Sequence, residues 1–109
     1  MSLDENERAV TVAFRGDLDV YRRDEIASAL PLPETIDRLV IDMREAAILD
    51  SSIVAVLMRY RRQFIEAGGD PLNIVIVVPQ TLRRVFEITG LVSLMTVVTA
   101  SLDDEPTRL

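Results

Sequence analysis

The sequence predicts an α/β fold: one domain with a mostly parallel or mixed central sheet of about four to five strands joined by crossover helices. Two observations carry this. Runs rich in β-branched residues at 9–15, 38–43, 72–78 and 94–99 read as strands. Helical patterns at 20–30, 51–67 and 79–90 lie between them, so each strand is followed by the kind of segment a parallel neighbour requires. The chain has 109 residues with no internal repeat, linker or second domain, so residues 1–109 are read as one domain with a core of about 9–99.

The elements follow in order. Residues 3–8 are polar, with a short edge strand as one reading. In 9–15, Val10, Val12 and Phe14 share one face of a strand. Gly16-Asp17-Leu18-Asp19 carries turn chemistry, and Asp17 or Asp19 can open the helix that follows. That helix places Tyr21, Ile26, Ala27 and Leu30 at compatible spacing and ends before Pro31 and Pro33. Residues 38–43 form a short interior strand, and 44–49 form a loop leading to Asp50. The helix from Ser51 to about Ala67 is apolar nearly all round in its first two turns and stops at Gly68-Gly69. Its second half narrows to Tyr60, Phe64 and Ile65, leaving Arg59, Arg61, Arg62 and Glu66 for solvent. The near-continuous apolar run 72–78 suggests a central strand covered on both faces. Pro79 suits a first helical turn, with Leu82, Val85, Phe86 and Ile88 as the inner stripe and Gly90 as the stop. After the last strand, 101–109 is an acidic tail containing Pro106.

Composition excludes several function classes. The formal charge is −6, which argues against nucleic acid as the main partner and favours a partner with a basic face. Arg59, Arg61, Arg62, Arg83 and Arg84 read as a solvated face or a protein contact rather than a phosphate tracker. Without cysteine there is no disulfide framework or thiolate metal site; without histidine there is no His-based triad or imidazole zinc site. No apolar run approaches the ~20 residues that span a bilayer, and the acidic N-terminus lacks a signal core, so a cytoplasmic, non-secreted, non-inserted protein is expected. An enzyme reading has little to stand on. Asp50-Ser51 has no His or Lys to serve as base, and the Asp17/Asp19 pair reads as turn and cap rather than as a metal site. No cofactor is expected.

Ile48-Leu49-Asp50-Ser51-Ser52-Ile53 changes character at Asp50. Asp, Ser and Ser ahead of an apolar run open a helix, with Asp50 able to accept from a backbone N–H one turn ahead. Ser51 and Ser52 then occupy the positive end of the helix dipole, where a phosphate on either hydroxyl would be favoured by the dipole and opposed by Asp50. Read by themselves, the three residues are first of all an ordinary cap.

In their order along the chain, these landmarks resemble a STAS domain of the anti-sigma factor antagonist type. Gly16-Asp17-Leu18-Asp19 resembles the family's Gly-Glu-Leu-Asp, and Leu39 to Met43 the strand before its site. Leu49-Asp50-Ser51-Ser52 resembles the Asp-Ser-Ser or Asp-Ser-Thr phosphorylation motif. Arg59-Tyr60-Arg61-Arg62 with Ala67-Gly68-Gly69 resembles the next helix, and the run from Leu82 to Leu91 the third helix with its Thr-Gly-Leu exit. The resemblance implies a phosphoacceptor at Ser51, with Ser52 as the alternative, and a partner contact formed by Asp19, Asp50, Ser51, Ser52 and Ile53. It implies as partners an anti-sigma factor of the histidine-kinase-like ATPase type, which is also the serine kinase, and a serine phosphatase; a weak homo-oligomer stays open. One departure stands out. Ile53 occupies the place where the family usually has Gly, either packing inward or shielding Ser51. The alternative is a STAS scaffold or adaptor, not phosphorylated, in a stress-signalling or lipid-transport complex.

Overall fold

A computed structural model describes residues 7–100. Four strands form an all-parallel sheet in the order β1 (Ala9–Ala13), β3 (Arg38–Asp42), β5 (Ile74–Pro79), β6 (Thr96–Ala100). Three helices lie in the crossovers: α1 (Arg23–Ala29), α2 (Ser51–Glu66) and α3 (Arg83–Ile88). The predicted α/β class is observed, with every pairing of the main sheet parallel.

The remaining two strands form a separate parallel ribbon. β2 (Gly16–Leu18) and β4 (Ala46–Leu49) pair Asp17 with Ile48 and Leu18 with Leu49. The ribbon continues the β1/β3 pair beyond a break: Phe14 N–H donates to the Asp42 carbonyl and Gly16 N–H to the Glu45 carbonyl, both at 3.0 Å. Gly16 turns the chain there with φ +79°, a conformation glycine adopts without penalty. The sequence predicts a turn at 16–19 and a loop at 44–49. Both segments are strands because each supplies the other's hydrogen bonds, and Leu18, Ala46 and Leu49 are buried along one side.

Register explains the core. Val10 and Val12, Leu39 and Ile41, and Ile74, Ile76 and Val78 share one face. They join Ile26 and Leu30, α2's Ile53, Leu57, Tyr60 and Phe64, and Leu82 and Phe86 in one apolar cluster. No polar or charged residue is buried among the described residues. The opposite face carries Thr11, Val40, Val75, Val77 and Val98, and none of these is buried. The expectation that the strand at 72–78 is covered on both faces is therefore corrected. Its valines shade one another across neighbouring strands, while core packing is confined to the other side.

Other differences are local. Residues 20–22 form a 3₁₀ turn ahead of α1, which takes Tyr21 off the inner stripe and leaves it 93 % exposed. Ala27, Ile65 and Ile88 also face outward rather than inward. Pro79 ends β5 and precedes a 3₁₀ turn instead of opening the helix itself. The last strand begins at Thr96, after a buried Met95. The edge strand suggested at 3–8 falls almost wholly outside the described residues, as does the tail at 101–109.

Candidate functional site

Asp50 joins β4 to α2 and serves both. Its backbone is extended (φ −94°, ψ 160°), and its N–H donates to the Leu18 carbonyl of β2 at 3.1 Å. Its own carbonyl accepts from the N–H groups of Ile53 and Val54 at 3.0 and 3.2 Å, which starts the helix. Its carboxylate oxygen Oδ1 accepts from the Ser52 N–H and from the Ser52 hydroxyl, each at 2.7 Å. These bonds, the hydroxyl foremost, hold the Asp50 carboxyl below the usual carboxylate range; burial opposes the shift and the Val20 N–H adds to it.

The two serines therefore differ. The Ser52 hydroxyl is half-buried and committed to Asp50. Ser51 is exposed, and its hydroxyl makes no hydrogen bond to another described residue. It stands at the first position of a 16-residue helix, where backbone N–H groups lack intrahelical partners.

The ribbon brings the second candidate region alongside. Because Leu18 pairs with Leu49, the residues that follow them, Asp19 and Asp50, leave the ribbon side by side. Asp19 caps the 3₁₀ turn Val20–Arg22, its Oδ1 accepting from the Tyr21 N–H at 3.1 Å. Arg22 braces the same turn by donating to the Arg15 carbonyl at 2.6 Å and pairing with Glu25 at 3.0 Å. Asp19, Asp50, Ser51 and Ser52 are thus assembled at one end of the molecule. Ile53 is not part of that surface. Its side chain is wholly buried, so it neither meets a docking partner nor covers Ser51. Position 53 falls on the core-facing side of α2, in line with Leu57, Tyr60 and Phe64, and this fixes its direction.

The structure also adds residues that sequence reasoning missed. Val20, Tyr21 and Ile48 are large apolar side chains exposed beside Asp19 and Asp50. The sequence places Tyr21 on the core side of a helix and Ile48 in a loop; the signal for either is an apolar residue within two positions of a capping Asp. A groove of about 310 Å³ runs between α1 and α2, lined by Arg23, Asp24, Ser52, Ala55, Val56 and Arg59. Arg23 and Arg59 thus line the same groove as Ser52, an arrangement that sequence spacing does not reveal. Among the described residues there is no cluster of three or more potential metal ligands of the His, Cys, Asp or Glu type, and no helix is long and apolar enough to cross a membrane.

Comparison with protein-family models matches residues 1–98 of the 109 to the family described as "Mlab, STAS domain". No curated protein matches the chain at a significant level.

Proposed function

Because the chain belongs to the STAS domain family, we propose that it is an anti-sigma factor antagonist, a cytoplasmic binding module switched by phosphorylation of Ser51. The unphosphorylated domain captures an anti-sigma factor that is also a serine kinase, and so releases the sigma factor for transcription. The observation that carries this reading is the free, exposed Ser51 hydroxyl at the head of a capped helix, beside the exposed apolar side chains Val20, Tyr21 and Ile48. Exposed apolar groups around one polar group suit a surface that docks closely and loses its water there.

The switch follows from charge. The kinase transfers the terminal phosphoryl group of ATP to the Ser51 oxygen. The O–P bond to Ser51 forms, the bridging bond to ADP breaks, and the hydroxyl proton passes to a base on the kinase. The product carries about −1.5 to −2 charges at neutral pH. Asp19 and Asp50 already stand at this end, so the added charge meets like charges and brings a hydration shell that docking would have to remove. A serine phosphatase reverses the change by hydrolysis. Ser51 is favoured over Ser52 because Ser52 would first have to give up its bond to Asp50.

The test is intact-mass analysis after incubation with ATP and candidate anti-sigma kinases of the same genome. One added phosphate, absent in Ser51→Ala and retained in Ser52→Ala, is the expected result. Stable binding without phosphate transfer would instead indicate the scaffold or adaptor role, and a phosphate that survives Ser51→Ala would move the switch to Ser52.

A further inference from the structure

Docking at the head of α2 leaves the rest of its outward side without a role. Ser51, Ala55, Met58, Arg62 and Ile65 follow one another at alternating spacings of four and three residues, and all five are exposed. Met58 and Ile65 are 38 % and 41 % exposed, although both are large and apolar. A surface hollow of about 810 Å³ lies along this side, lined entirely from α2 by Ala55, Met58, Arg59, Arg61, Arg62, Ile65 and Glu66. Arg59 and Arg62 form no ion pair with any described residue. Arg61, on the same side, donates to the Leu94 carbonyl at 2.9 Å and likewise forms no ion pair with a described residue.

We infer that the outward stripe of α2 is a docking groove for an acidic amphipathic helix of the partner that binds at Ser51. The inference rests on the reading of Ser51 as a docking site and extends that surface along the helix. Charge selects the occupant. The described residues 7–100 carry eleven arginines against thirteen carboxylates, so the fold itself is close to neutral and local clusters set its charge pattern. The stripe is positive, with the guanidinium groups of Arg59, Arg61 and Arg62 against one carboxylate, Glu66. A second copy docked α2 against α2 would set arginines against arginines, which disfavours self-pairing. The spacing of the apolar positions matches the ridges of a helix lying alongside.

The test needs no knowledge of the partner. The probe is a synthetic peptide of about 18 residues on an Ala-rich helical background, with Leu at the same alternating spacing and a few Glu flanking them. Its control has Lys in place of Glu. Titration into the ¹⁵N-labelled domain is expected to shift the amides of 55, 58, 62 and 65 with the Glu peptide and not with the Lys peptide. The double variant Arg59→Glu/Arg62→Glu, altered only at exposed positions, is expected to weaken the Glu peptide at least about tenfold, as is added salt. Equal response to both peptides, shifts confined to the open face of the sheet, no shifts, or an unchanged affinity in the double variant would each overturn the inference. Failure of phosphate transfer to Ser51 with the peptide still on the stripe would instead overturn the switch alone.

Discussion

The inward and outward sides of α2 are built from the same backbone and do opposite work. Inward, Ile53, Leu57, Tyr60 and Phe64 recur at helical spacing and none is more than 6 % exposed. The Tyr60 and Phe64 rings stack with centroids 6.2 Å apart. The Tyr60 hydroxyl donates to the Pro31 carbonyl at 2.7 Å, and burial pushes its pKa up to about 12. Outward, Ser51, Ala55, Met58, Arg62 and Ile65 meet solvent and make none of the side-chain hydrogen bonds of the described residues. The contrast shows how one helix can anchor a core and still leave a solvent-facing stripe that the fold itself does not use. Changes inward are read as stability, and changes outward as binding.

The largest effect that would sharpen the contrast is at position 53. Ile53→Gly restores the residue usual in the family but removes a wholly buried side chain from the first turn of α2. It should cost roughly 3–5 kcal/mol, combining loss of a buried aliphatic group with glycine's poor helix propensity. Urea denaturation measures this. A cost below about 1 kcal/mol would show that Ile53 does not belong to the inward side in the sense argued here.

A smaller loss is expected at the helix start. Asp50→Ala removes the acceptor for the Ser52 N–H and hydroxyl and should lower the melting temperature by less than Ile53→Gly does. Its effect is pH-dependent. Because folding lowers the Asp50 pKa, its contribution is fully present above the unfolded-state value of about 3.9 and disappears as pH falls through the lower folded-state value. Melting curves of wild type and Asp50→Ala should therefore stand apart at neutral pH and converge in acid. A gap that widens on acidification would contradict the role given to this carboxylate.

The smallest stability effect belongs to the outward side. Met58→Ala and Arg62→Ala should each change stability by no more than about 0.5 kcal/mol, since both side chains are exposed. Loss of a kilocalorie or more in denaturant titrations would break the contrast between the two sides.

Much of the candidate site is legible in the chain. Asp50-Ser51-Ser52 ahead of an apolar run marks a capped helix start, and Gly68-Gly69 marks its end. Both are observed, with Gly68 at φ +93° and the Gly69 N–H donating to the Phe64 carbonyl at 2.8 Å. Asp19 likewise caps a turn, as its neighbours suggest. Less legible were Tyr21 and Ile48. A three-residue 3₁₀ turn and a four-residue strand are too short to impose a period on their side chains.

The amino-acid sequence by itself determined the alternation of strands and helices, the parallel class of the sheet and the start and stop of α2. These depend on side-chain period, capping and glycine, all of which act within a few residues. Tertiary structure decided that 16–18 and 46–49 pair as a ribbon, that no described helix covers one face of the sheet and that Ile53 turns inward. It also decided that Ser52 is bound to Asp50 while Ser51 is free. Strand pairing requires a hydrogen-bond partner some thirty residues away, and burial depends on which surfaces meet; neither is written in any local stretch of chain.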